Sequence, residues 1–225
     1  MDLSRLDDPA TYDEAVRLLA ALTDELLDDV RALDAAGLAA PSLLPGWTRA
    51  HVLAHVARNA DALVNLLTWA RTGQPRPMYA DRGQRDAEIE AGTRLAPADL
   101  EADVESSAER FLAATAELPV DRRDVEVRPG PAAQGHPVPA ADVLWNRIRE
   151  VAYHHVDLGT GRRFADLPGP VVARGLAEAV QRTGVDPGAV GVHGDPAALL
   201  GWLTGREDGA TLTSPGPLPA VPSWG

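Results

Sequence analysis

The chain has 225 residues, of which 33 are acidic and 21 basic, and its net charge of −12 argues against nucleic-acid binding, since neutralising phosphates needs a basic face. It has no cysteine, which excludes disulfides, thiolate ligands and a cysteine nucleophile, and no lysine, which excludes Schiff-base catalysis. No window approaches about 18 consecutive apolar residues, and the acidic start lacks the apolar core of a signal peptide. We therefore expect a cytoplasmic protein with no membrane span.

Three amphipathic helices are predicted in the first part of the chain. The first covers 11–33 and opens with a capping box of Thr11 and Glu14. The second covers 48–71, with the threonine at its start as N-cap, and the third covers 97–117. Each carries an apolar stripe at helical spacing, so each is expected to bury one face.

A fourth helix is predicted over 139–158, after a stretch rich in proline and glycine in which DVEVR reads as one short strand. Four helices of roughly 20 residues predict a four-helix bundle, a fold that places metal sites on facing helices. A fifth helix fits 171–182, and Asp195-Pro196 begins a short sixth one.

The change of character after the fourth helix divides the chain into two predicted domains. The bundle is expected over 1–163 and a small C-terminal domain over 164–225.

Two helical segments, HVLAH and REVAYHH, hold four of the six histidines. Glu150 and His154 are spaced i, i+4 and share a helix face, and His55 lies closer to its apolar stripe than His51 does. A metal site of His55, Glu150 and His154 would keep coordination positions open, as catalytic sites do. The alternatives are a surface ion pair of Glu150 with His154, a solvated His51 and a His155 packed in the core or behind a ligand.

Three segments, LLPGWTRAHVLAHVARNADAL, TGQPRPMY and LWNRIREVAYHHVDLG, resemble the mycothiol-dependent maleylpyruvate isomerases of the DinB-like superfamily over about 15–165. The resemblance implies a mainly α fold, a DinB-like metal-binding four-helix bundle with a small α/β C-terminal domain. It also implies a zinc ion held by His55, Glu150 and His154, and an active-site arginine, Arg206, in the GR dipeptide. Only GVDPGAVGVHGDPAALLGWL lies between the fifth helix and that dipeptide, where the family usually has a longer strand-rich stretch, so the C-terminal sheet is expected to be reduced.

The activity implied by the resemblance is the zinc- and mycothiol-dependent conversion of maleylpyruvate to fumarylpyruvate in gentisate degradation. Reversible addition of a thiolate turns the cis double bond into a single bond that can rotate, and the missing cysteine fits an external thiol. The enolate formed by addition needs a cation or donor. Arg206 is the first candidate, Arg82 and Arg147 follow, and Tyr79 could line the pocket. Surface ion pairs for the arginines and simple packing for the tyrosine are the alternatives.

Two other functions fit the same motifs. A mycothiol S-transferase would use the same metal and thiol but consume the thiol, and a non-catalytic module would bind metal or thiol without turnover. Zinc and nickel both accept these ligands. The expected partners are a small-molecule substrate and a low-molecular-weight thiol, and the protein is expected to be a monomer or homodimer.

Overall fold

The computed structural model describes residues 1–222 and is mainly α-helical, as predicted. Its described α-helices are α1 (Pro9–Arg31), α2 (Ala35–Ala39), α3 (Arg49–Thr72), α4 (Arg82–Gly92), α5 (Pro97–Ala116), α6 (Asp142–Asp157), α7 (Gly169–Thr183) and α8 (Pro196–Leu203). Two short strands, β1 (Glu126–Val127) and β2 (Val138–Pro139), pair antiparallel, and β1 lies inside the predicted DVEVR strand.

The chain forms two compact units. One spans Arg5–Thr160, and the other combines Met1–Ser4 with the chain from Gly161 onward. In the first unit the four long helices α1, α3, α5 and α6 pack together, with α3 in contact with both α5 and α6. Their apolar faces form the core, as the helical periodicity requires.

Helix α3 is the inner helix of this bundle. It buries side chains around most of its circumference, including three consecutive turns from Val52 to Ala62. His55 lies on this buried part of α3 and is only 7% exposed.

The start of α1 differs from the prediction. The carboxylate of Asp8 accepts a hydrogen bond from the backbone N–H of Thr11 at 2.9 Å, and Pro9 occupies the first helical position. The capping box of Thr11 and Glu14 is thus wrong. Aspartate followed by proline is the stronger start signal, because proline lacks the N–H that the first turn cannot use.

Helices α2 and α4 were absent from the sequence prediction. Asp81 caps α4 by accepting from the N–H of Gln84 at 2.8 Å. Gly92, at the end of α4, lies so close to α3 that a Cβ there would stand 2.7 Å from the Cβ of Ala54. Helix α4 therefore lies directly against α3 beside His55.

The second unit contains α7 and α8 and one isolated antiparallel bridge between His193 and Thr213. Asp195 caps α8 as predicted, accepting from Ala197 N–H at 2.8 Å. Within the described residues of this unit the strand content is this single bridge, which accords with a reduced sheet. The last three residues of the predicted C-terminal domain lie outside the described chain. No described helix has the length and hydropathy needed to cross a membrane.

Candidate metal centre

The two histidines of HVLAH, on the first turns of α3, make different contacts. Thr48 is the N-cap, and the Nδ1 of His51 accepts the backbone N–H of Thr48 at 3.2 Å, which closes a capping box. The Nε2 of His51 lies 3.4 Å from Glu90 of α4. His51 therefore serves the helix terminus, while His55, one turn later, points into the bundle.

His55, Glu150 and His154 lie together where α3 faces α6. The Nε2 of His55 is 3.0 Å from Oε2 of Glu150, and the Nε2 of His154 is 3.4 Å from the same oxygen. One ligand atom from each residue lies within 4.8 Å of the others. The two imidazole rings stand almost perpendicular, at 86°, with centroids 4.6 Å apart. Two imidazole nitrogens and one carboxylate oxygen make a donor set that suits zinc or nickel.

Behind the group, His154 is held by a carboxylate. Its Nδ1 lies 2.8 Å from Oδ2 of Asp157, whose side chain is 1% exposed. The contact is an ion pair by distance, although it lacks the alignment of a good hydrogen bond. It keeps the Nδ1 edge toward Asp157 and leaves Nε2 toward Glu150, the arrangement by which outer carboxylates orient metal-binding histidines.

The adjacent histidine faces the other way. His155 is 2% exposed, and its Nε2 lies 3.1 Å from Asp29 of α1, which also accepts from the hydroxyl of Thr160 at 2.6 Å. His155 is thus a buried histidine that joins α6 to α1.

The electrostatics of the group favour a cation. Burial lowers the pKa of His55 to about 4 against the opposing effect of Glu150. Burial alone would raise the pKa of Glu150, but its hydrogen bonds and charge contacts with His154 and His55 hold that pKa well below its usual range. Burial would likewise lower the pKa of His154, yet Asp157 and Glu150 raise it. The lowered pKa of Glu150 and the raised pKa of His154 both mean that the carboxylates favour positive charge at this point.

Comparison with known proteins identifies the family of this chain. The family model for the mycothiol maleylpyruvate isomerase N-terminal domain matches residues 19–159. A crystal structure of the mycothiol-dependent maleylpyruvate isomerase is 34% identical with a TM-score of 0.88, and that of a histidine-to-alanine mutant is 33% identical with a TM-score of 0.87. Each comparison covers 100% of both chains. The chain belongs to the mycothiol maleylpyruvate isomerase family. Among curated proteins, none matches it.

Membership of this isomerase family confirms the predicted enzyme class and the DinB-like helical fold.

Two aromatic side chains lie near the candidate ligands His55, Glu150 and His154, which we call the metal group. The ring centroid of Trp47 is 5.6 Å from that of His55, and the two rings meet edge-on. Tyr79 is 5% exposed, and its hydroxyl has no hydrogen-bond partner among the described residues. Burial raises the pKa of Tyr79, and the nearby charge of Arg85 opposes that rise.

Arg147 lies wholly inside the bundle. Its Nη1 donates to the carbonyl of Val56 at 2.7 Å and to Oδ1 of Asn59 at 3.2 Å, which ties α6 to α3 one residue past His55. Its Nη2 is buried without a hydrogen-bond partner in the described chain. Burial lowers the pKa of Arg147 to about 10, so the guanidinium stays charged at neutral pH.

Two further arginines were predicted as site residues, and each is described within its own unit. Arg82 is exposed at the first position of α4. Arg206 belongs to the second unit, where it follows α8 and its Nη1 donates to the carbonyl of Thr204 at 3.4 Å.

Three charged residues of the described chain that the sequence reasoning passed over contact His55, Glu150 or His154. One is Arg149, whose Nη2 lies 3.7 Å from Oε1 of Glu150. The Nη2 of Arg85 lies 3.4 Å from Nδ1 of His55, and Asp157 contacts His154. The only sequence signal for Asp157 was its i, i+3 spacing from His154, which does not show that the carboxylate is buried. Arg85 required recognition of α4, for which Asp81 followed three residues later by Gln84 was the available signal.

Proposed function

We propose that this protein is a zinc- and mycothiol-dependent isomerase that converts maleylpyruvate to fumarylpyruvate, in gentisate degradation in the cytoplasm. The observation that carries the proposal is the convergence of His55, Glu150 and His154 in a chain that matches a mycothiol-dependent maleylpyruvate isomerase over its full length. The chain has no cysteine, so a thiolate nucleophile must come from a separate molecule.

The chemistry balances without any net consumption of thiol. The thiolate sulfur bonds to one alkene carbon, and the electrons of the double bond move into the conjugated carbonyl to form an enolate. Rotation about the new single bond is followed by collapse of the enolate, which restores the double bond in the trans geometry and expels the thiolate. A nucleophile that also leaves readily is essential, and a thiolate meets both demands.

His55, Glu150 and His154 are the proposed ligands of the metal. A bound zinc ion would supply Lewis acidity that lowers the pKa of a thiol held beside it. Asp157 keeps His154 in the orientation that presents Nε2. The buried group excludes bulk water from its protein side, since His55 and His154 expose only 8% and 13% of their side chains.

Donors for the substrate and the thiol come from nearby side chains. We assign the hydroxyl of Tyr79 and the Nη2 of Arg147 to polar groups of substrate or thiol, because both are buried donors without a partner in the described chain. Arg206 is proposed to stabilise the enolate oxygen, on the resemblance of its GR dipeptide to the family pattern.

The deciding experiment is turnover of maleylpyruvate by the zinc-loaded protein with and without mycothiol, while free thiol is titrated. Thiol-dependent formation of fumarylpyruvate with constant free thiol is the expected result. Loss of thiol into a stable adduct would overturn the isomerase and indicate an S-transferase. Binding of metal and thiol with neither reaction would indicate a binding module.

The ligand assignment is tested with two alanine variants of the same helix. His55→Ala is expected to lose both stoichiometric zinc and activity. His51→Ala is the matched control, since it removes the same side chain one turn earlier, at the helix cap, and is expected to retain zinc. Stoichiometric zinc and full turnover in His55→Ala would contradict the assignment.

A further inference from the structure

The two histidines of the metal group differ in what faces their outer nitrogens. The Nδ1 of His154 faces a carboxylate, Asp157, at 2.8 Å. The Nδ1 of His55 faces a guanidinium, Nη2 of Arg85, at 3.4 Å. Metal-binding histidines as a rule donate the outer N–H to an acceptor. Arg85 cannot accept, because a guanidinium has donors only.

This contact selects the wrong tautomer of His55 for metal binding. With Arg85 as donor, Nδ1 of His55 must accept, so Nε2 carries the hydrogen and donates it to Glu150 at 3.0 Å. Coordination through Nε2 needs the opposite tautomer, with the hydrogen on Nδ1. That N–H would then face the donors of Arg85, and the two positive edges would repel each other. The contact of Arg85 with His55 is therefore incompatible with a metal on Nε2.

Arg85 is free to turn away when this happens. Its side chain is 28% exposed on the first turns of α4, and its other contact is with Asp86 at 2.8 Å, a side chain that is itself 58% exposed. Neither contact anchors the guanidinium in the core. The hydroxyl of Tyr79 is buried and has no hydrogen-bond partner in the described chain. The charge of Arg85 is near enough to oppose the rise in the pKa of Tyr79. A guanidinium turned away from His55 would have its donors available to an anionic ligand.

We propose that Arg85 competes with a metal ion for His55 and, when turned away from His55, binds a carboxylate of the anionic substrate. The proposal rests on the proposed function for the identity of that substrate, whose carboxylates suit the planar fork of an arginine. It couples metal loading to anion binding, so that each favours the other.

The test measures two affinities in Arg85→Ala, with Arg82→Ala as the matched control on the same helix. Zinc affinity is measured by competition with a chromophoric chelator, and binding of maleate, a cis dicarboxylate, to the zinc-loaded protein by calorimetry. Arg85→Ala is expected to bind zinc more tightly, by roughly three- to tenfold, because a cation beside a ligand is gone. It is expected to bind maleate about tenfold or more weakly. Arg82→Ala is expected to match the wild type in both.

The opposite signs distinguish this role from a structural one. An Arg85 that merely supports the fold would lower both affinities on substitution, and a bystander would change neither; either result overturns the proposal. Saturating maleate is also expected to raise zinc affinity in the wild type, and this gain should shrink in Arg85→Ala. Arg85→Lys keeps the positive charge but loses the planar guanidinium. Its affinities for zinc and maleate are expected to lie between those of the wild type and of Arg85→Ala. These binding results stand apart from turnover, so a failure to isomerise maleylpyruvate would refute the proposed function alone.

Discussion

Replacing Asp157 with asparagine should weaken zinc binding without changing any ligand. The substitution keeps the shape of a side chain that is 1% exposed and removes the charge that lies 2.8 Å from Nδ1 of His154. A contact to a charged group contributes about 1.5–3 kcal/mol, and the imperfect alignment here favours the lower value. About 1.5 kcal/mol corresponds to roughly a tenfold loss of affinity, at the lower end of the 10–100-fold typical for outer carboxylates.

The assay is competition for zinc with a chelator of known affinity, at fixed pH, alongside thermal unfolding of the metal-free protein. Asp29→Asn is the matched control, because Asp29 makes the equivalent contact with the neighbouring His155 at 3.1 Å but lies outside the ligand group. It should lower stability and leave zinc affinity unchanged. Equal zinc affinity in Asp157→Asn and the wild type, or an equal loss in both variants, would refute the orienting role of Asp157.

Three further outcomes follow from the same contacts. Zinc affinity should fall as the pH is lowered towards 6.5, the ordinary pKa of a histidine, by up to about tenfold per unit, because the pKa of His154 is raised and the ring must release its proton to bind metal; a flat profile would contradict this. The free energy of unfolding of the metal-free wild type should fall as the pH is lowered from 6.5 towards about 4, because His55 takes up its proton in the unfolded chain at a higher pH than in the folded one. His55→Gln, which lacks this group, should lose less stability over the same range in chemical denaturation. Gly92→Ala should destabilise by about 1–3 kcal/mol in the same assay, because its Cβ would stand 2.7 Å from that of Ala54; wild-type stability would mean that α4 shifts freely.

The convergence of the ligand group could be predicted because two periodicities agree. The i, i+4 spacing puts Glu150 and His154 on one face of α6, and the apolar stripe of α3 directs His55 rather than His51 inward. In the structure these three lie together and His51 caps the helix. Each inference needed only the phase of a long, regular helix, which hydrophobic spacing determines.

The surroundings of the group could not be predicted in the same way. Helix α4 buries only Ile89, so it has no apolar stripe to reveal it, and its position depends on the close approach of Gly92 to α3. Arg85 was missed for that reason, although Arg82 of the same helix was named as a candidate. Asp157 has the sequence of a solvated carboxylate near a helix end, and only the packing of α6 shows that it is buried. Contacts that arise between helices leave little trace in the local pattern.

The two adjacent histidines of α6 make the helix intolerant of a shift in register. His154 is matched with Asp157 and Glu150 on one side, and His155 with Asp29 of α1 on another. Insertion or deletion of one residue earlier in α6 would rotate the helix by about 100° and present the wrong histidine to each carboxylate. Length changes in this family should therefore concentrate outside α6, in connections such as the stretch between β1 and β2. The spacing from Glu150 to His155 is held constant by two contacts at once, of buried His155 with partly exposed Asp29 and of His154 with buried Asp157.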